Sequence, residues 1–138
     1  MGKFVVDASV VLKWIPGKME EGVETARKVY EMAVAEKCEL WAPDLLLIES
    51  LNILVNKRKV KVNLAVKGMQ MIGRIVKLEY FDKENIGELQ KLMENYKISA
   101  YDGLYVYLAM KLGCKLVTVD KKLLEIKGLA VRPEDVIE

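Results

Sequence analysis

The 138-residue sequence contains no histidine. That absence excludes Ser-His-Asp and Cys-His catalysis, a histidine general base, and histidine-ligated zinc or iron. Cysteine is scarce: Cys38 and Cys114 stand far apart and outside any Cys-x-x-Cys pair, which excludes a disulfide framework. Both are expected to be buried thiols in a reducing cytoplasm. Long hydrophobic runs are missing too. The longest uncharged stretch, Gly103 to Met110, is far short of a membrane span, so no membrane association is expected. The apolar N-terminus is interrupted by Asp7 and has no small-residue cleavage site, which argues against a signal peptide. No repeat, low-complexity segment or interdomain linker is visible, and residues 1–138 are expected to form a single domain.

About half the residues are apolar and 30% charged, a composition that supports a packed core. Short β-branched runs alternate with helical patterns, predicting an α/β sandwich with a mainly parallel central sheet flanked by helices. A first strand is expected at Lys3–Val6, followed by a helical turn over Ala8–Trp14 that Pro16-Gly17 stops. An amphipathic helix is expected from Glu20 to Glu36, with Val23, Ala26, Tyr30 and Ala33 on one face. A short strand at Leu40–Ala42 then leads to an apolar helix from Leu45 to Lys57. Further elements are a helix over Asn63–Ile72, a strand at Arg74–Leu78 and an amphipathic helix over Lys83–Asn95.

The most informative stretch is Ile98 to Asp120. Ser99 is placed to cap a helix beginning at Ala100, with Asp102 three residues on. The uncharged helix body predicts burial on most sides, and Gly113 is placed as its C-terminal stop. Leu116–Val119 then reads as a buried strand ending at Asp120. A last strand is expected at Leu129–Val131. The helix around Gly68-Met69-Gln70-Met71 fits either core packing or a dimer or antitoxin surface.

Four acids need explaining. Asp7 and Asp120 each come directly after a buried strand, Asp102 lies in the first turn of a helix, and Glu49 sits among leucines. Asp7 and Asp120 could simply cap the next helical turn of the chain, and Asp102 could be the capping partner of Ser99. Glu49 is harder to explain structurally, because an ionised carboxylate among apolar side chains needs a partner. If the four converge, adjacent pairs about 4 Å apart repel by roughly 4 kcal/mol each at an effective dielectric near 20. A hard cation between them removes that cost, and all-oxygen ligands without histidine select Mg²⁺ or Mn²⁺. Such an ion can activate water against a phosphodiester, so metal-assisted phosphoryl chemistry is expected. Lys and Arg number 22 against 20 Asp and Glu, so with those four acids set aside the rest of the chain is clearly basic. A basic surface around a negative pocket suits a polyanionic substrate. Lys57, Arg58, Lys59 and Lys61, with Lys121 and Lys122 beside Asp120, are candidate backbone contacts or solvated helix ends.

These residues resemble the PIN-domain family, and more narrowly its VapC-type toxins. The resemblance rests on Val5-Val6-Asp7-Ala8-Ser9, on Pro43 followed by Glu49 within Leu-Leu-Leu-Ile-Glu-Ser-Leu-Asn, on Ser99-Ala100-Tyr101-Asp102-Gly103, and on Thr118-Val119-Asp120. It covers nearly the whole chain, with Gly103 where the family usually has alanine. It implies a PIN-like three-layer sandwich and a Mg²⁺- or Mn²⁺-dependent endoribonuclease site. Asp7, Glu49, Asp102 and Asp120 map onto the metal-binding acids, and Ser9 and Thr118 onto positions that support them. It further implies a cytoplasmic homodimer, an RNA substrate and a cognate VapB-like antitoxin. One alternative is a PIN nuclease of RNA processing or quality control, and another is a PIN fold that binds RNA or protein without cutting. A third, from a different class, is a Mg²⁺-binding receiver-like signalling domain. The lone Asp7 after the first strand disfavours that last reading, because receivers place two adjacent acids there.

Overall fold

A computed structural model of the chain describes residues 2–15 and 21–137. Its centre is a five-stranded sheet in the order β3-β2-β1-β4-β5, with every neighbouring pair parallel. The strands are β1 (Gly2–Val6), β2 (Cys38–Pro43), β3 (Val76–Glu79), β4 (Lys115–Val117) and β5 (Ala130–Val131). The helices are α1 (Ala8–Val11), α2 (Val23–Val34), α3 (Leu45–Asn52), α4 (Val62–Ile75), α5 (Ile86–Tyr96) and α6 (Ala100–Leu112). The sheet is therefore wholly parallel rather than mainly so. Parallel strands need crossover helices, and those helices cover the sheet.

The apolar runs explain the burial. Val5, Val6, Leu40, Ala42, Leu116 and Val117 are all fully buried. Helix α6 packs on β1, β2 and β4 and carries α5 against it, while α3 and α4 pack on each other and on β2 and β3 respectively. The uncharged body of α6 buries Tyr105, Val106, Leu108 and Ala109, and Gly113 ends the helix in the left-handed conformation at φ 65°. That backbone conformation costs glycine little, because it has no Cβ.

Several expected boundaries shift. The helix expected over Leu45–Lys57 is α-helical only to Asn52, and its last turn, Ile53–Lys57, is a π-helix. It is also less buried than its sequence implies, since Ile48 is two-thirds exposed. The strand expected to reach Val119 stops at Val117, leaving Thr118 and Asp120 in the connection beyond it. The amphipathic helix begins at Val23 after Gly22, and the expected Pro16-Gly17 stop lies outside the described residues. Cys38 is buried as expected, but Cys114 is only partly so, because it sits in the loop between Gly113 and β4. Met69 packs into the core while Met71 remains partly exposed.

Candidate carboxylate site

The chain builds β1, β2 and β3 to one side, then returns to place β4 on the other side of β1. The crevice beyond the carboxyl ends of β1 and β4 is thus a topological switch point, the usual ligand position in parallel α/β sheets. The register pairs Val6 with Val117, so the next residues, Asp7 and Thr118, leave the sheet side by side. Thr118 Oγ1 donates to Asp7 Oδ2 at 2.5 Å, and Ser9 Oγ donates to Asp7 Oδ1 at 2.5 Å. The same hydroxyls accept backbone N–H groups from the loop after β4: Asp120 N–H to Thr118 at 3.0 Å and Val119 N–H to Ser9 at 3.1 Å. Each hydroxyl proton is therefore directed at Asp7, and the network ties the start of α1 to the exit of β4. Capping alone does not explain Asp7: the Val10 amide in α1 also favours its charged form, but the two hydroxyls of Ser9 and Thr118 are the bonds its oxygens accept at 2.5 Å. Burial pushes the Asp7 carboxyl up to about 6, against the pull of Ser9 and Thr118, with the Asp120 charge adding to the rise.

Glu49 projects from the middle of α3 and is half-buried. Tyr105 Oη, from α6, donates to its Oε1 at 3.1 Å. Desolvation and the nearby Asp102 charge raise the Glu49 carboxyl above its ordinary range, while the Tyr105 hydrogen bond lowers it. Asp102 lies in the first turn of α6, where Ser99 accepts its backbone N–H at 3.1 Å. Its carboxyl is raised by desolvation and by Asp120, and lowered by the Ser99 hydroxyl and Lys122. Asp120 does cap the turn after it, accepting N–H bonds from Lys122 at 2.9 Å and Leu123 at 3.1 Å.

The fold thus brings all four acids within electrostatic reach of one another: Asp7 with Asp120, Asp120 with Asp102, and Asp102 with Glu49. They do not touch. Among the described residues no three carboxylates or thiols stand close enough to form a ready-made metal cage. The donor set nevertheless fits Mg²⁺ or Mn²⁺, being all oxygen and destabilised by its own charge. Mg²⁺ commonly takes only one or two carboxylates and keeps several waters.

Of the basic residues, exposed Lys121 and Lys122 lie at the site, and the Lys122 charge is felt by Asp102. Lys57, Arg58 and Lys59 are exposed at the far end of the π-turn, roughly 12 Å along the helix axis from Glu49. Arg58 donates to the carbonyl of Leu12 at 3.3 Å, a contact that ties this cluster to the end of α1.

Tyr105 is a site residue that the sequence pattern does not single out. It is fully enclosed, and the charges of Glu49, Asp7 and Asp102 all act on its hydroxyl, which desolvation holds well above the usual tyrosine range. Its place one turn after Asp102 is the available signal, but within an uncharged helix body a tyrosine reads as core. Gly103 has room around it. A Cβ added there would meet Leu89 Cδ2 at 3.5 Å, an ordinary contact. Gly103→Ala is therefore expected to stabilise the protein by about 0.5–1 kcal/mol through helix propensity, raising the melting temperature by roughly 2–4 °C. A lower melting temperature would show that α6 has no room there.

A wholly parallel five-stranded sheet joined by crossover helices defines an α/β protein. The chain belongs to the PIN domain family, whose family model matches residues 4–129. Among solved structures it is similar to Mycobacterium tuberculosis VapC20, described as a sarcin-ricin loop cleaving toxin. That match has 15% identity and a TM-score of 0.74, and covers 94% of this chain and 99% of that one. It is similar to VapBC2 from Rickettsia felis, bound to a DNA fragment from its promoter, at 18% identity and a TM-score of 0.69, over 94% and 98% of the chains. PAE2754 from Pyrobaculum aerophilum matches at 21% identity and a TM-score of 0.68, over 97% and 92%. At these identities the likeness establishes the fold. A comparison with curated proteins finds no match.

Proposed function

We propose that this chain is a divalent-metal-dependent endoribonuclease and the toxin of a VapBC-type toxin–antitoxin pair. The observation that carries the reading is Asp7, a buried carboxylate held on both oxygens by Ser9 and Thr118 at the switch point of a PIN fold, with three further acids around it. An acid kept there against a desolvation cost is retained for chemistry rather than for stability.

In this reading Asp7, Glu49, Asp102 and Asp120 hold Mg²⁺ or Mn²⁺, directly or through water. Bound there, the ion supplies positive charge to the scissile phosphodiester and acidity to a water molecule. The protein's part is positioning. Ser9 and Thr118 fix the Asp7 carboxylate, Tyr105 fixes Glu49, the first turn of α6 presents Asp102, and two backbone amides hold Asp120. Lys121 and Lys122 are placed to meet the RNA backbone, and Lys57, Arg58 and Lys59 extend the basic surface. The homodimer and a VapB-like antitoxin belong to the same proposal; the likeness to Rickettsia felis VapBC2 supports the antitoxin alone. The receiver alternative loses its support, because the strand order 3-2-1-4-5 is not the 2-1-3-4-5 of flavodoxin-like sheets.

End-labelled RNAs incubated with the protein and Mg²⁺ or Mn²⁺ are expected to be cut at discrete positions, and excess EDTA is expected to stop it. Cleavage undiminished by EDTA, or metal binding without cleavage of any RNA in a broad panel, would overturn the nuclease assignment.

A further inference from the structure

Within the site proposed above, the hydrogen bonds treat the carboxylate oxygens unequally. Glu49 has one oxygen, Oε1, engaged by a buried protein donor, the Tyr105 hydroxyl at 3.1 Å. The ring behind that hydroxyl is 2% exposed and packed within the core, so the donor has almost no freedom to swing away. Glu49 itself is only half-buried and projects from α3, a different element. A buried tyrosine thus reaches out of the core and fixes a carboxylate at the site's edge.

Cation chemistry gives that arrangement a consequence. Ca²⁺ takes six to eight oxygens and often binds a carboxylate through both, whereas Mg²⁺ demands a compact octahedron in which each carboxylate usually gives one oxygen. The geometry points to Tyr105 as a positioning residue that sets ion selectivity: by holding Oε1 of Glu49 from one side it disfavours binding of an ion through both oxygens of that carboxylate, favouring Mg²⁺ and Mn²⁺ over Ca²⁺. The inference rests on the proposed metal site and adds a residue outside the four acids. Asp7 is held evenly, with one hydroxyl on each oxygen, so this one-sided hold is particular to Glu49. A tyrosine hydroxyl that merely satisfied itself in the core would affect stability but not the choice of ion.

The test is calorimetric titration of the whole protein with Mg²⁺, Mn²⁺ and Ca²⁺ separately, wild type against Tyr105→Phe, without RNA. Phenylalanine keeps the buried ring and removes only the donor. The ratio of Ca²⁺ to Mg²⁺ affinity is expected to rise about tenfold, the size of effect seen when an outer partner of a metal ligand is lost. In a Glu49→Gln background the same substitution is expected to leave the ratio unchanged. A ratio within twofold of wild type, with binding intact, would overturn the role of Tyr105 and leave the nuclease reading standing. No binding of any of the three ions by the wild type would overturn both. Should Tyr105→Phe not fold, Glu49→Asp withdraws the carboxylate from the hydroxyl by one methylene. The same shift toward Ca²⁺ is expected there, and its absence would overturn the inference.

Discussion

Asp7→Asn is expected to lose RNA cleavage by at least about a thousandfold while melting higher than the wild type in the absence of divalent ions. The two effects share one cause. Burial raises the Asp7 carboxyl from 3.8 to about 6, so at neutral pH the folded protein carries an ionised group in a place that disfavours it. Below the unfolded value both states are protonated and there is no cost. As the pH rises through the interval up to about 6 the unfolded chain releases its proton first, and stability falls. Above that interval the loss is complete, at about 3 kcal/mol. Asparagine keeps the shape and removes the charge, but its NH₂ cannot accept from one of the two hydroxyls that donate to Asp7, so a net gain of about 1–2 kcal/mol is expected. That is a rise of roughly 4–8 °C at pH 8, reversing to a fall of a few degrees near pH 4, where the charge cost is nearly gone and the poorer hydrogen bonds remain. Thermal scans at the two pH values check it. A variant that melts lower at pH 8, or that still cuts RNA, would mean that Asp7 serves the fold rather than the chemistry.

Mg²⁺ or Mn²⁺ at about one hundred times its dissociation constant is expected to stabilise the wild type by about 2.7 kcal/mol, roughly 10 °C in melting temperature. An ion bound only by the folded state offsets the burial, and with it the lesser mutual repulsion, that raises Asp7, Glu49 and Asp102. Asp102→Asn, at the middle of that chain of charges, is expected to remove most of the shift and with it the cleavage. Because binding needs ionised carboxylates, the shift is also expected to fade as the pH falls below about 6, where Asp7 takes up a proton. Scans with Mg²⁺ and with EDTA give the answer directly. An undiminished shift in Asp102→Asn would remove that residue from the metal site.

Much of this architecture is legible residue by residue. The runs at Val5-Val6, Leu40 and Leu116-Val117 alternate with helical segments, and that alternation predicts the parallel sheet the structure contains. Asp7 and Asp120 draw attention because they come directly after such runs, and Glu49 because it interrupts an apolar helix. Other features escape. β4 ends at Val117, and just beyond it the Thr118 hydroxyl donates to Asp7, a partner 111 residues away. The π-turn after Asn52 and the partial exposure of Ile48 depend on how α3 seats against α1 and α4. Asp120 satisfies both readings, since it caps the next turn and also faces Asp102.

The sequence by itself determined the order of strands and helices, the buried cores of the strands and the identity of the acids, because hydrophobic period and local capping act between near neighbours. It excluded histidine chemistry outright. Only the tertiary structure decided which groups meet: Ser9 and Thr118 on one carboxylate, and Tyr105 on Glu49 across 56 residues. Those pairings arise from the β1–β4 register and from the seating of α6 on the sheet. Hydrogen bonds are decided at a scale of tenths of an ångström, and chain pattern carries no information at that scale until the packing is complete.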